Sequence, residues 1–265
     1  MTIVQSLWVG SDLSKMEIYS IKSFLRTGHT FHLYTYDKIN NIPDGVIVKD
    51  ANEILPKKTI FTLKNLYLPF SDIFRYKMLY EKGNYWVDVD LISMRPLDFT
   101  EPFVFASERT IQKGAYKLKA KYVTNNCILK APAKSKFYKD LFEVSMTYHK
   151  KGTNKDKIKY MRLLRKMIEK YKYQRYIKSP NHFCHLDWWY AKDAFLPLKS
   201  FRSKYGVRGH SINSMFGKGV QFAPYTIHLW RSLVTHKYKL DPNDDFHPNS
   251  LWERLIRFID DKPKI

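Results

Sequence analysis

The sequence predicts an α/β domain on a mostly parallel sheet, carrying a basic helical insertion. Three observations support this. Short apolar runs alternate with helix-spaced segments from the N-terminus onward, two of the early runs end at Asp, and no repeat or Gly/Ser linker divides the 265 residues. A hydrophobic content of 44% is enough for one sizeable core.

The first run, "TIVQSLWV" at 2 to 9, closes at Gly10-Ser11, and Ile18, Ile21, Phe24 and Leu25 then share one side of a helix over 13 to 25. "FHLYTYD" (31 to 37) and "VIVKD" (46 to 50) read as strands, with the turn formers Asn40, Asn41, Pro43 and Gly45 between them. Strands are also expected at 103 to 107 and 122 to 130, and within "VQFAPYTIHLW" at 220 to 230. A basic helical zone runs from about 135 to 172, and "SLWERLIRFID" is an amphipathic helix near the end. We therefore expect one domain in three parts: a ligand-binding core over 1 to 131, a basic helical region over 132 to 219 and a closing segment over 220 to 265.

The chain carries 46 Lys and Arg against 25 Asp and Glu, a formal net charge of +21. Between Gln112 and Lys178 the count is 20 against 4, so a net of +16 sits in one quarter of the chain. Such a region suits nucleic acid or an anionic membrane face, the plain alternative being a solvated lysine-rich surface. No nucleic-acid-binding motif accompanies it, so an anionic membrane face is the expected partner and a specific nucleic acid is not. By spacing, Cys127 and Cys184 make neither a disulfide framework nor a metal-ligand pair, which fits a reducing compartment. "MTIVQSLWVG" lacks the basic and apolar regions of a secretory signal, and nowhere do eighteen apolar residues run together. The expected address is the cytoplasm, at the inner face of the membrane.

The scarce carboxylates gather in "SDIFRYKMLYEKGNYWVDVDL", residues 71 to 91. Ser71 is placed to cap a helix that Gly83 ends, about eleven residues or roughly 16 Å long. A tight turn at Gly83-Asn84 sends the following strand back along the helix, so the helix start lies near the strand end. Asp72 and Arg75, three apart, share a helix face; Asp88 and Asp90, two apart, share a strand face. Two aligned carboxylates at the carboxyl end of a sheet strand are costly unless a cation neutralises them, and all-oxygen ligands suit Mg²⁺ or Mn²⁺ with open positions for phosphate oxygens.

At these residues the sequence resembles glycosyltransferases of family 32, the DXD sugar-binding group to which the clostridial glucosylating toxins are related. The D-x-x-R, the Gly turn, the aromatic and the D-x-D occur in that family's order. "QSLWVG", "VTNNCILKAPAKSKFY" and "TIHLWRS" resemble its opening strand, its Asn-containing strand leading into a helix, and its C-terminal His-x-Trp segment. The likeness covers 3 to 37, 66 to 148 and, more weakly, 220 to 232. One departure is Asn84, where the family has a second Gly; Asn also tolerates a left-handed turn.

The resemblance implies a GT-A fold and a nucleotide-sugar donor, most often UDP-linked. It implies Mn²⁺ or Mg²⁺ held by Asp90 and, directly or through water, by Asp88. It further implies that Asp72, Arg75 and Asn126 contact the donor sugar, that Trp8 stacks on uracil, and that the anomeric configuration is retained. His228 is expected to give a third metal ligand or a phosphate contact, and Trp230 to close over the diphosphate.

"NHFCHLDWWY", 181 to 190, has zinc-ligand residue types at a spacing that fits no common site. An acceptor-side role is preferred, with Asp187 accepting hydroxyl hydrogen bonds and Trp188 or Trp189 stacking on a sugar ring. The expected function is transfer of a hexose-type sugar to a glycan or lipid-linked glycan, as in cell-surface polysaccharide synthesis. A basic nucleic-acid-binding protein or metal-dependent nuclease is the alternative.

Overall fold

The computed structural model describes residues 2–63, 65–111, 120–150, 158–197 and 224–261. Parts of the basic region, at 112–119 and 151–157, and the first residues of the 220 to 230 segment lie outside the described residues.

Strand β1 (Ile3–Trp8) leads into helix α1 (Lys15–Arg26), followed by β2 (Thr30–Thr35) and β3 (Ile47–Asp50). These strands pair in parallel, β1 on β2 from Ile3↔Thr30 to Trp8↔Thr35 and β2 on β3 from His32↔Ile47 to Thr35↔Asp50. Helix α1 starts at Ser14, whose backbone N–H donates to Glu17 Oε2 at 2.8 Å, and its Ile21 and Phe24 are fully buried beneath the sheet strands they pack against. The spacing read in the sequence therefore marks the core face.

Helix α2 (Leu68–Lys82) is longer than the sequence suggests. Its first turn holds Pro69, tolerated there because that backbone N–H has no helical partner, so Ser71 lies inside the helix and does not cap it. The far end is as expected. Gly83 closes the helix with its N–H on Leu79 O, at φ +65° and ψ −151°, a conformation close to glycine-only backbone. A Cβ there would stand 2.5 Å from the Ala133 nitrogen. Asn84 follows at φ +64°, so the residue that departs from the family pattern does adopt the left-handed turn.

Strand β4 (Asn84–Val87) returns beside β1, with Val4 opposite Tyr85, and β5 (Leu91–Ser93) leaves the main sheet. Strands β6 (Val104–Ile111) and β7 (Ala120–Ala131) complete a six-stranded sheet of order β3-β2-β1-β4-β7-β6, in which β7 runs against both of its neighbours. This mixed architecture, a mostly parallel sheet flanked by helices, is the α/β class expected.

Helices α3 (Lys136–Lys150) and α4 (Ile158–Lys170) form the basic zone, and α5 (Pro180–Phe183) comes next. In α4 the exposed side carries Arg162, Arg165 and Lys166, while Leu163, Leu164, Met167 and Ile168 are buried in the core. The amphipathic stripe is spent on packing against the domain, so only the basic face of this helix is available to a membrane surface. Strand β8 (Thr226–His228) pairs antiparallel with β5, and α6 (Leu251–Asp260) buries Leu251, Trp252, Leu255, Ile256 and Ile259. Among the described residues no helix is long and apolar enough to cross a membrane.

Candidate active site

Strand β4 ends at Val87, so Asp88 and Asp90 lie in the turn beyond it and not on the strand. They still converge because both flanks of the turn are pinned. The Asp88 N–H donates to Cys127 O on β7 at 2.8 Å, and Leu91 pairs with His228 across the β5–β8 ladder. That ladder brings a segment 140 residues away in the chain onto Asp90. The Leu229 N–H donates to Asp90 O at 2.9 Å, the Arg231 N–H to Asp90 Oδ2 at 2.8 Å, and His228 Nε2 stands 3.3 Å from the same oxygen. Between them Trp230 takes φ +58°, which turns the Arg231 N–H back towards the carboxylate.

Asp88 is held from the other side. Its Oδ1 accepts from Trp86 Nε1 at 2.8 Å and lies 3.1 Å from Arg75 Nη1. Arg75 is buried and fully occupied: it donates to Ser71 O at 3.2 Å, to Ser71 Oγ at 3.0 Å and to Asn126 O at 2.7 Å, with its guanidinium 4.6 Å from the Trp86 ring centroid. Asp72 sits behind it, 3.5 Å from Arg75 Nη2 and accepting from Asn126 Nδ2. The convergence expected of Asp72, Arg75 and the D-x-D is therefore real. Asp72 and Asn126, however, buttress Arg75 and do not line the pocket, because the hydrogen bond between them turns both side chains inward.

The electrostatics follow from burial. Desolvation pushes the Asp72 carboxyl up to about 7, against the pull of Arg75. Burial also raises Asp88, with Arg75 opposing. Burial would raise Asp90 too, but the facing His228 imidazolium and the hydrogen bonds it accepts hold it below the usual carboxylate range. His228 goes the other way: burial disfavours its charge, yet Asp90 holds it well above an ordinary imidazole.

One oxygen of each carboxylate is committed to the protein, Asp88 Oδ1 and Asp90 Oδ2, while the other oxygen of each has no hydrogen bond or ion pair among the described residues. Asp88, Asp90 and His228 each offer an atom within 4.8 Å of the others. This donor set fits Mn²⁺ or Mg²⁺ through the two carboxylates, with His228 joining only by giving up its proton.

The carboxylates open into a pocket of about 370 Å³, lined also by Trp8, Arg75, Trp86 and, from the closing segment, Arg231, Ser232 and His236. Such a size suits a nucleotide-scale ligand. Trp8 ends β1 half-exposed, its Nε1 donating to Asp12 O at 3.1 Å and the Arg231 guanidinium 5.3 Å from its ring centroid. Arg231 is also ion-paired with the buried Glu17. Sequence reading missed Arg231 and His236, and also Tyr67 at the pocket wall. The adjacency of Arg231 to the His-x-Trp stretch was the only available signal. Trp230 is placed differently from the expectation: its Nε1 donates to Leu186 O at 2.8 Å and its ring stacks on His228 at 3.9 Å, so it braces His228 from outside the pocket.

Asp187 does not line the pocket. It is buried, with Oδ1 accepting from Arg109 Nη1 at 2.9 Å, and burial raises its carboxyl against that cation. The acceptor-side role is corrected to an internal ion pair, because a carboxylate this enclosed is out of reach of a sugar hydroxyl. Trp189 is buried as well, and Trp188 is half-buried. The expectation for the cysteines also changes. Cys127 Sγ and Cys184 Sγ lie 3.6 Å apart, buried, with His228 Nδ1 3.8 Å from Cys184 Sγ. Sequence spacing could not show this, since 56 residues that include α3 and α4 separate the two thiols.

No protein-family profile and no curated protein sequence matches the chain. Among solved structures the chain is similar to one described as "PaToxG Glycosyltransferase", at 14% identity and a TM-score of 0.44, over 66% of this chain and 69% of that one.

Proposed function

We propose that the chain is a metal-dependent glycosyltransferase that takes a hexose-type sugar from a nucleotide-sugar donor, a UDP-sugar, and retains its configuration. One observation supports this most: a buried and a half-buried carboxylate, each with one oxygen free of protein hydrogen bonds among the described residues, face a pocket of about 370 Å³ that carries an indole at one wall and Arg75 and Arg231 beside them. Asp88 and Asp90 would hold Mn²⁺ or Mg²⁺, with His228 as the third ligand. When bound, such an ion neutralises the diphosphate and acts as a Lewis acid towards the leaving group.

The chain's own groups do the rest. Trp8 offers a π-face for the base, contributing about 1–3 kcal/mol on the scale of base–aromatic stacking. Arg231, fixed by its backbone on Asp90 and its side chain on Glu17, brings positive charge to the wall where diphosphate charge develops. Arg75 orients Asp88, and Asp72 with Asn126 holds Arg75 in place. The acceptor is a glycan or lipid-linked glycan hydroxyl, and the exposed Arg162, Arg165 and Lys166 of α4 suit an anionic membrane surface carrying it, at about 1 kcal/mol per basic residue. The test is UDP release from a panel of UDP-sugars with and without Mn²⁺. No metal-dependent release from any of them sinks the reading.

A further inference from the structure

Beneath the carboxylate turn lies a second group of ligand-type side chains: two thiols that the proposed transfer does not use, and His228, which the two groups share. Cys127 is the β7 residue whose carbonyl holds the D-x-D turn, and Cys184 caps the end of α5. Both thiols are buried, at 0% and 1% exposure, and His228 at 5% lies against them from β8. The three offer one ligand atom each within 4.8 Å. No disulfide joins the two thiols.

We propose that Cys127, Cys184 and His228 Nδ1 form a site for a thiophilic d¹⁰ divalent cation, zinc in type, distinct from the carboxylate site. The distances fit. With Zn–S of about 2.3 Å and Zn–N of about 2.0–2.1 Å, a tetrahedral ion holds its sulfurs about 3.8 Å apart and a sulfur about 3.5 Å from the nitrogen. The structure has 3.6 Å between the sulfurs and 3.8 Å from Cys184 Sγ to His228 Nδ1. That sulfur separation is well beyond the about 2.0 Å of a disulfide and close to the value a shared tetrahedral ion requires.

The second nitrogen of His228 supplies the independent argument. A metal-bound imidazole characteristically donates its other N–H to a carboxylate, which fixes the tautomer. Here Nε2 faces Asp90 Oδ2 at 3.3 Å while Nδ1 faces the thiols. Asp90 is itself oriented by the Arg231 N–H, and the His228 ring is fixed by stacking on Trp230. The whole set is therefore rigid before any ion arrives.

Binding exchanges two thiol protons for two metal–sulfur bonds, with His228 entering as neutral imidazole carrying its proton on Nε2, and three protein ligands leave a fourth position open. His228 cannot then ligate an ion held by Asp88 and Asp90, since its Nε2 lone pair carries the proton. Zinc in this site would thus reduce the carboxylate site to its two oxygens.

The site is tested on the full chain kept reduced, given one equivalent of Zn²⁺ and examined by X-ray absorption. The expected first shell holds two sulfurs at about 2.3 Å and an imidazole nitrogen. A shell of oxygen and nitrogen alone overturns the proposal, and needs no variant to do so. Co²⁺ in place of Zn²⁺ should give a thiolate-to-metal charge-transfer band that Cys127→Ser and Cys184→Ser each abolish. Asp88→Asn should leave that band unchanged, whereas Asp90→Asn should weaken Zn²⁺ affinity about 10–100-fold, the range for loss of such a carboxylate partner. A Co²⁺ band lost with Asp88→Asn and kept in both cysteine variants would assign the ion to the carboxylates and overturn the thiol site. Because the readout is metal coordination and not sugar transfer, failure of the glycosyltransferase reading would leave this result untouched.

Discussion

Arg75 Nη1 stands 3.1 Å from Asp88 Oδ1 while the same guanidinium holds Asp72 from its other edge, at 3.5 Å. Both carboxylates are largely removed from water, so this one cation balances charge that the interior would otherwise have to carry alone. Lys cannot reproduce the fork, since the guanidinium also donates to Ser71 O, Ser71 Oγ and Asn126 O. Arg75→Met should cost about 3–5 kcal/mol of unfolding free energy, the range for breaking a buried pair, and Arg75→Lys should recover only part of that. Urea unfolding checks this, and a loss within about 1 kcal/mol for Arg75→Met would show that the network is solvated.

Asp90→Asn and Asp88→Asn should each lower metal-dependent UDP release by about 10²-fold or more, equivalent to several kcal/mol of lost charge stabilisation. Asp90→Asn is the more informative, because the amide oxygen can still accept the Arg231 N–H and keep the closing segment in place. Circular dichroism of the two variants should match that of the parent chain, with a lowered melting temperature because each removes one charge of an enclosed ion pair. Turnover at the parent rate under saturating donor in either variant removes the metal assignment.

UDP should raise the melting temperature only together with Mn²⁺ or Mg²⁺. At 100 times its dissociation constant a ligand stabilises the folded state by about 2.7 kcal/mol, a shift of several degrees for a chain of this length. Differential scanning fluorimetry with and without chelator gives the comparison. An equal shift in chelator means that UDP binds through the indole and arginines without an ion.

Much of this site was legible because its first half is local. Asp72, Arg75, Asp88 and Asp90 lie on one helix–turn–strand unit whose geometry follows from Gly83, whose φ of +65° and close approach to Ala133 leave no room for a side chain. The other half depends on the β5–β8 pairing, which joins Leu91 to His228 and has no periodic or spacing signal in the chain. Arg231 comes to the site through that same pairing, and the Cys127–Cys184 contact likewise joins positions far apart in the chain. Asp187 misled because an Asp beside two Trp describes both a sugar-binding cleft and a buried ion pair; only burial and Arg109 tell them apart.

Asp72 makes stability depend on pH in an unusual direction. Its carboxyl is at about 7 in the fold against an ordinary 3.8, because burial outweighs Arg75. Between those values the folded state holds a proton that the unfolded chain has released, so this residue's contribution falls as pH rises and is fully lost only above the folded value. A salt-bridged Asp with a lowered value would do the reverse. The difference in unfolding free energy between the parent chain and Asp72→Asn, measured without metal, should therefore decline from about pH 4 to about pH 7 and level off above. A difference that stays level from about pH 4 to about pH 7 and falls away only below about pH 4 would show that Arg75 outweighs burial.

The last prediction separates the two uses of an Asp beside two Trp. Arg109 Nη1 and Asp187 Oδ1 are 2.9 Å apart, and Asp187 Oδ2 is buried with no hydrogen bond among the described residues. The pair is thus imperfectly compensated. Removing Arg109 alone leaves a buried carboxylate with neither cation nor water, so Arg109→Met should cost about 3–5 kcal/mol, whereas replacing both partners with apolar side chains is often close to neutral. Arg109→Met with Asp187→Leu should accordingly be more stable than Arg109→Met alone. A double-mutant cycle on unfolding free energy reads the coupling directly. Sugar transfer gives the complementary measurement. If Asp187 serves only the ion pair, Asp187→Asn folds and keeps its KM for the acceptor; a raised acceptor KM at unchanged stability would return Asp187 to the acceptor side and refute the structural role.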